Sequence, residues 1–182
     1  IVTNAASSAL VLEDCTFSCR LAVNTSSGAL TDSSFRRVNV SHSSVALGTN
    51  YGIFNMGSCG TILFENIRCT NFSVTSSTTT NIASFLSASP TAGNSVEVRN
   101  CSLISTAAGA QFTNAISITG SCSISSNYFF SFASAMRVSG GERVLIANNE
   151  VAGNGIGGFG LQVLSSCGVL KVEGNSIVSL AR

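Results

Sequence analysis

Short apolar segments with a period of two recur along the chain, and each ends at a polar or small residue. The copies are LVLEDCTF (10–17), GALTDSSF (28–35), ILFENIRC (62–69), VEVRNCSL (96–103), CSISSNYF (122–129), VLIANNEV (144–151) and LKVEGNSI (170–177). Alternation by two places Val96 and Val98 on one face of a strand. The corner residue that follows breaks this parity, so Leu103 faces the same interior from another wall. A fixed phrase at variable spacing is typical of a solenoid.

Other alternating segments precede several of these copies. They contain Ile116 and Ile118, Met136 and Val138, and Leu161 and Val163. Stacked coils pair equivalent strands in parallel, while no stretch keeps the 3.6-residue period of an amphipathic helix. The pattern predicts an all-β parallel β-helix solenoid of about seven coils with three short strands per coil, and residues 1–182 form a single domain.

The corner residues form a predicted column. They are Asp14, Asp32, Asn66, Asn100, Ser126, Asn148 and Gly174. Asparagine tolerates left-handed backbone angles, and its amide both donates and accepts hydrogen bonds. We therefore expect Asn66, Asn100 and Asn148 to form a ladder between coils, a structural role favoured over ligand binding. Asp14 and Asp32 are interpreted as corner residues that accept backbone hydrogen bonds; the alternative is a cation site or an acid–base pair.

The repeat carries a resemblance to a known group. With VEVRNCSL (96–103) and VLIANNEV (144–151) as its clearest copies, the chain resembles the right-handed parallel β-helix proteins of the pectin-lyase-like superfamily over roughly residues 9–180. The Asn-Thr-Asp motif of its polygalacturonase-like hydrolases and the aspartate cluster of its pectate-lyase-like enzymes are missing, and one such fold serves many functions. The Ser-, Thr-, Asn- and Cys-rich texture is similar to β-helix segments of large protozoan surface proteins of the dispersed-gene-family type.

Three charged residues are candidates for chemistry on an outward face. Glu65 and Glu97 would serve as the paired carboxylates of a glycosidase, with Arg99 nearby. Glu65 and Arg99 occupy neighbouring coils, and Glu97 and Arg99 lie two residues apart on one face, so ion pairing across strands explains the same residues without catalysis. We favour ion pairing and assign no catalytic residue.

Composition excludes several classes of partner and cofactor. Charged residues make up 9% of the chain and the formal net charge is +1, which gives no electrostatic basis for binding nucleic acid. Hydrophobic residues reach 45%, yet no run is long enough to insert in a membrane. His42 is the only histidine, so a zinc site has little support. The glycine-rich 153–160 lacks the Lys-Ser/Thr ending of a phosphate loop. We predict no metal and no cofactor.

Cysteine and asparagine patterns bear on location. The seven cysteines show neither a CxxC pair nor zinc spacing, so we expect most to be buried thiols, with Cys15 and Cys19 the only pair close in sequence. Asn24, Asn39 and Asn71 begin glycosylation tripeptides and are the glycosylation candidates. Asn100 begins a fourth, but we expect a buried corner there. These tripeptides favour an extracellular or cell-surface location.

These observations predict a non-enzymatic, extracellular structural or adhesive segment that presents polar faces to a glycan or a surface protein. One alternative is a carbohydrate-active β-helix, a polysaccharide lyase or glycoside hydrolase, whose site is incomplete. Another is a subunit that assembles end to end into filaments, because uncapped coil ends leave unpaired strand edges. We expect the chain to be a fragment of a longer solenoid or a stacking unit.

Overall fold

The chain folds into a stack of β-coils. The computed structural model describes residues 9–18, 23–24, 30–41, 43–45, 54–74, 84–105, 114–132, 134–154 and 159–180. Regular structure in these ranges is β-strand throughout, arranged in three parallel sheets. No helix of the described ranges could cross a membrane.

Each sheet takes one strand from each successive coil. Sheet 1 contains β1 (Val11–Glu13), β4 (Ser33–Arg36), β8 (Ile62–Glu65), β11 (Val96–Arg99), β14 (Cys122–Ser125), β17 (Arg143–Ala147) and β20 (Val169–Glu173). Sheet 2 contains β2 (Thr16–Phe17), β5 (Asn39–Val40), β9 (Arg68–Val74), β12 (Ser102–Ser105), β15 (Tyr128–Phe130), β18 (Glu150–Asn154) and β21 (Ser176–Leu180), with β6 (Ser43–Val45) beside β9. Sheet 3 contains β3 (Val23–Asn24), β7 (Phe54–Cys59), β10 (Ser84–Pro90), β13 (Asn114–Thr119), β16 (Ser134–Ser139) and β19 (Phe159–Val163). Because the chain visits sheets 1, 2 and 3 in turn, the predicted parallel solenoid with three strands per coil is confirmed.

Alternating residues of the three sheets fill the interior. Phe35 of β4 pairs in register with Phe64 of β8, and their rings stack with centroids 4.8 Å apart. Phe54 of sheet 3 meets both rings edge-on, at 5.2 and 5.1 Å. All three side chains are buried. These residues are far apart in sequence, so their packing holds together strands that the local sequence pattern predicts only one at a time.

A single residue with left-handed backbone angles makes the corner between sheets 1 and 2. The corner residues have φ from 51° to 62° and are Asp14, Arg37, Asn66, Asn100, Ser126, Asn148 and Gly174. The prediction of Asp32 for the second coil was wrong. Glu13 pairs with Arg36 and Arg36 with Glu65, so Arg37 is the residue level with Asp14 and Asn66. Asp32 also has positive φ, 41°, but it precedes β4 rather than following it.

The amide ladder lies one residue beyond the corner. Asn66, Asn100 and Asn148 are exposed, which corrects both the predicted ladder and the predicted burial of Asn100. The ladder is formed instead by Asn127, Asn149 and Asn175. Each of the first two amides donates from Nδ2 to Oδ1 of the next, at 2.9 Å in both cases.

The same amides also satisfy the backbone. Asn149 Nδ2 donates to the Ile124 carbonyl at 2.8 Å, while Asn149 Oδ1 accepts from the backbone N–H of Asn127 at 3.1 Å. Asn127 Oδ1 accepts in the same way from the Cys101 N–H. Corner turns leave backbone groups without strand partners, and an unpaired buried polar group is costly. These side chains remove that cost at the corners of the three coils that carry them.

The inward columns are covered in the middle of the stack and open at its last rung. Leu170, Val172 and Ile177 occupy inward columns but are 46%, 48% and 49% exposed. Their register partners one coil earlier, Val144, Ile146 and Val151, are at most 7% exposed. Among the described residues, none lies over this last rung.

Candidate functional site

A row of alternating charges crosses the outward face of sheet 1. Glu13, Arg36, Glu65 and Arg99 occupy equivalent positions on four neighbouring strands. Arg36 lies 3.5 Å from both Glu13 and Glu65. Parallel strands in register bring side chains from successive coils about 4.8 Å apart, which is within reach of a guanidinium. The row therefore results from coil stacking and not from any local sequence motif.

The structure brings together the three residues proposed from the sequence as candidates for chemistry. Arg99 Nε lies 2.8 Å from Glu65 Oε1, and Arg99 Nη1 lies 2.8 Å from Glu97 Oε1. One guanidinium thus bridges both carboxylates. The hydrogen bond with Glu65, followed by the charge of Glu97, raises the pKa of Arg99 above its ordinary value. An arginine held in this way is a poorer base, and both carboxylates are already engaged.

A second ion pair lies at the corner. Arg37 contacts Asp14 through two parallel bonds, Nε to Oδ1 at 2.5 Å and Nη2 to Oδ2 at 2.8 Å. This hydrogen bond to Arg37 lowers the pKa of Asp14 below its ordinary value. Asp32 precedes β4, whereas Asp14 follows β1, so the two carboxylates lie at opposite ends of neighbouring strands. This placement does not support the alternative of an Asp14–Asp32 acid–base or cation site.

A concave surface lies beside the other half of sheet 1. A cleft of about 560 Å³ extends over β14, β17 and β20 and the turns that precede them. Its polar side chains include Asn94, Ser121, Ser123, Arg143 and Lys171, and Glu142 is the only acidic residue among its described lining residues. The apolar floor consists mainly of Leu145 and Val169. Hydroxyl, amide and cationic groups around a small apolar floor are suited to binding rather than to two-carboxylate hydrolysis.

Closely stacked turns between sheets 3 and 1 shape this cleft. A Cβ added at Gly141, where φ is 107°, would lie 2.5 Å from the Gly120 carbonyl oxygen. One at Gly168 would lie 2.7 Å from the Glu142 carbonyl oxygen. Ser121 Oγ accepts hydrogen bonds from the backbone N–H groups of Glu142, at 3.0 Å, and Arg143, at 3.3 Å. Glycine is required here because the successive turns touch backbone to backbone.

Cysteines occupy mostly interior positions. Within the described ranges, Cys15, Cys59, Cys69, Cys101, Cys122 and Cys167 are thiols, and the middle four are buried. Burial raises the pKa of Cys101 and of Cys122 to about 12, and that of Cys59 to about 11. The expectation of buried thiols is therefore confirmed for these residues. Cys19 lies outside the described residues, and Cys15 is a thiol.

The remaining predicted sites are placed as follows. Asn39 is exposed at the start of β5, whereas the side chains of Asn24 and Asn71, like His42, lie outside the described residues. Glycosylation of these asparagines stays a prediction. No group of three or more His, Cys, Asp or Glu side chains in the described ranges is arranged to hold a metal ion.

The sequence contains a pattern that marks the asparagines of the amide ladder, which the assignment of corner residues did not use. In SSNYF, ANNEV and EGNSI an asparagine stands two residues before the inward apolar residue, namely Asn127, Asn149 and Asn175. The cleft had no such signal, because its residues come from turns and strands of four coils.

Compared with protein-family models, with curated proteins and with solved structures, the chain matches none. The three parallel sheets establish the β-solenoid architecture, whereas the likeness to the pectin-lyase-like superfamily and to protozoan surface proteins stays a prediction from the sequence.

Proposed function

We propose that the chain is a non-enzymatic, extracellular structural or adhesive segment that presents polar faces to a glycan or protein partner, with the cleft beside sheet 1 as its glycan-binding surface. The observation that carries this proposal is the lining of the cleft, where hydroxyl, amide and cationic groups surround Leu145 and a single carboxylate, Glu142. Sugars offer many hydroxyl groups and small apolar faces, and such a lining complements both. Exposed Asn39 in a glycosylation tripeptide supports the extracellular part.

The bridged carboxylates support the non-enzymatic part. General acid–base catalysis at a glycosidic bond needs one carboxyl group to carry a proton and another to be free to act. Glu65 and Glu97 instead share Arg99, at 2.8 Å each. The row that contains Glu65 and Arg99, with Glu97 beside it, is an arrangement that stabilises neighbouring strands.

The cysteines weigh against an oxidising compartment. Proteins exposed to such conditions commonly pair their cysteines, and six of the seven are thiols here. Burial reconciles the two for Cys59, Cys101 and Cys122, since a buried thiol with a raised pKa is protected from oxidants, whereas Cys15 and Cys167 are only partly buried.

Binding is tested with an array of neutral, acidic and amino-substituted oligosaccharides, followed by calorimetric titration of the best ligand. We expect Arg143→Ala and Lys171→Ala each to lower the affinity for that ligand by about ten-fold, because each substitution removes one charge-assisted hydrogen bond. Arg137→Ala on sheet 3 is the matched control and should change affinity less than about two-fold. Unchanged affinity in Arg143→Ala would move the binding surface away from the cleft.

The carbohydrate-active alternative is tested in parallel. The chain is incubated with the polysaccharides that contain any array ligand, and reducing ends and new carbon–carbon double bonds are followed. We expect neither product. Cleavage of the polysaccharide that disappears in Glu65→Gln and in Glu97→Gln, but persists in Glu142→Gln, would establish an enzyme at the bridged carboxylates. It would also reject the adhesive proposal.

The open last rung favours end-to-end assembly as a second candidate. Exposed Leu170, Val172 and Ile177 lie beside strand edges that have no neighbour among the described residues. Light scattering across a concentration series should then show growth without a defined end point, since head-to-tail contacts of this kind do not close. Val172→Asp would stop such growth, whereas glycan binding would be retained.

A further inference from the structure

The outward face of sheet 2 changes character along the stack. Its second outward column is apolar over four neighbouring strands, where Ile104, Phe130, Ala152 and Val178 are in register. Phe130 is 38% exposed and Val178 is 51% exposed. Tyr128 lies beside Phe130 with nearly parallel rings, 17° apart and 6.5 Å between centroids. An apolar column with exposed aromatic rings is typical of a surface that another protein covers.

Two exposed charges lie within the first outward column, which continues to Asn39 on one side and to Ser176 on the other. Arg68 on β9 and Glu150 on β18 are separated by Ser102 and Tyr128, so they stand three strands apart, about 14 Å at the usual strand spacing. Both side chains belong to exposed residues. The ion pairs formed within the described ranges involve neither of them. This contrasts with sheet 1, where every charge in the row has a partner.

We propose that this face of sheet 2 is the contact surface of a lateral homodimer. The two copies would be related by a two-fold axis that runs parallel to the strands and passes between β12 and β15. Such an axis preserves strand direction and reverses the order of coils, so β9 lies over β18 of the second copy and β12 lies over β15. Arg68 then faces Glu150 of the partner subunit, and Ile104 faces Phe130 of the partner subunit.

Symmetry makes each of these contacts occur twice, which is the property of an isologous interface. Two Arg68–Glu150 pairs would flank a centre made of two Ile104–Phe130 contacts. A partner without this spacing of opposite charges would leave at least one of the two charges uncompensated. The surface is therefore complementary to itself, and charge complementarity selects a second copy of this chain as the occupant.

The size of the face indicates a weak dimer. Six strands at the usual spacing span about 25 Å, so the buried area is at the low end for specific complexes. The inference is independent of the glycan-binding proposal, because the cleft lies beside sheet 1 and stays accessible in the dimer.

The experiment is sedimentation equilibrium of the full 182-residue chain from micromolar to millimolar concentration. We expect a monomer–dimer equilibrium. Arg68→Glu and Glu150→Arg each place two like-charge pairs in the interface and should raise the dissociation constant at least ten-fold. The double variant Arg68→Glu/Glu150→Arg exchanges the charges and should return it to within about three-fold of the original value.

The controls are Arg137→Glu and Glu142→Arg, which make matched charge changes outside sheet 2 and should leave the dissociation constant unchanged. Circular dichroism checks that each variant keeps its β-structure. A chain that stays monomeric to millimolar concentration would overturn the proposal. So would single-variant defects that the charge exchange fails to repair, or open-ended growth insensitive to all of these changes, which would place self-association at the coil ends.

Discussion

Asn148 and Asn149 are consecutive asparagines with opposite environments. Asn148 is exposed with φ of 55°, whereas Asn149 is 1% exposed and joins the amide ladder. The first is chosen for its backbone conformation and the second for its hydrogen bonds. A substitution that respects one requirement and violates the other separates the two roles.

We expect Asn149→Ala to lower the free energy of unfolding by about 2 to 4 kcal/mol, because it removes a donor and an acceptor and leaves buried backbone groups unpaired. Asn148→Gly, its control, should stay within about 0.5 kcal/mol, since glycine adopts the corner conformation readily. Urea unfolding followed by circular dichroism measures both. Equal effects of the two substitutions would mean that the ladder contributes nothing beyond the corner.

Gly141 and Gly93 offer a comparable contrast in the turns around the cleft. Both have positive φ, 107° and 79°, but only Gly141 is in close contact with a neighbouring turn. Gly141→Ala should lower the unfolding free energy by at least about 2 kcal/mol, and Gly93→Ala by about 1 kcal/mol from backbone strain alone. Thermal or urea unfolding distinguishes them. A Gly141→Ala protein as stable as Gly93→Ala would show that the stacked turns can separate without cost.

At the scale of elements, sheets 1 and 2 are joined at a corner whose second coil carries a charge in place of an amide. Arg37 occupies the position that asparagine takes in Asn66 and Asn100, and it extends back to Asp14 on the first coil. Coil-to-coil cohesion at this corner is therefore electrostatic. That makes it sensitive to pH.

Replacing Arg37 by asparagine, Arg37→Asn, keeps a residue suited to the corner and removes the charge. We expect the pKa of Asp14, measured by NMR titration, to rise from its lowered value towards about 3.9. A lowered folded-state pKa contributes stability that is present above the unfolded pKa and is lost as pH falls through the folded pKa. The acid loss of stability below about pH 4 should accordingly be shallower in Arg37→Asn.

Arg36→Gln is the control for that titration, because the Arg36 side chain pairs with Glu13 and Glu65, whereas Asp14 is contacted by the Arg36 backbone carbonyl, which accepts from the Asp14 N–H at 3.2 Å. It should leave the Asp14 pKa nearly unchanged. An Asp14 pKa that already has its ordinary value in the unmodified protein would contradict the corner ion pair.

At the scale of the whole molecule, the interior runs continuously from coil to coil and encloses most of the cysteines. Cys59, Cys101 and Cys122 lie in the same core as the phenylalanine stack. Their raised pKa values leave little thiolate at neutral pH, so reactivity requires opening of the core. Cys15 and Cys167 are only partly buried.

At about pH 8 we expect a chromogenic thiol reagent to modify Cys15 and Cys167 quickly and the buried cysteines only at the rate of unfolding. In denaturant without reductant, at least six thiols per chain should react, as the six described thiols require. Mass spectrometry of the modified peptides assigns each site. Three disulfides in the denatured chain, or rapid native modification of Cys101, would contradict the arrangement described.

Much of the architecture could be predicted because a solenoid repeats local information. Alternation by two and a corner residue recur in every coil, so the strand type, the three walls and most corners follow from short segments. The corner prediction for the second coil was wrong for a physical reason. Leu30 and Phe35 have the same spacing around Asp32 as the apolar residues of the repeat, and both are buried. The strand in register with the other coils, however, is the one followed by Arg37.

By itself, the sequence determined that this chain is a parallel β-solenoid, because burying alternate side chains at each strand and turning at each corner are local requirements. Only the tertiary structure decided which side chains meet across coils. It joined Arg99 to Glu65 and Glu97, turned Asn149 inward and Asn148 outward, and assembled the cleft from separate turns. Those contacts depend on register between strands many residues apart, and register is set by packing of the whole core.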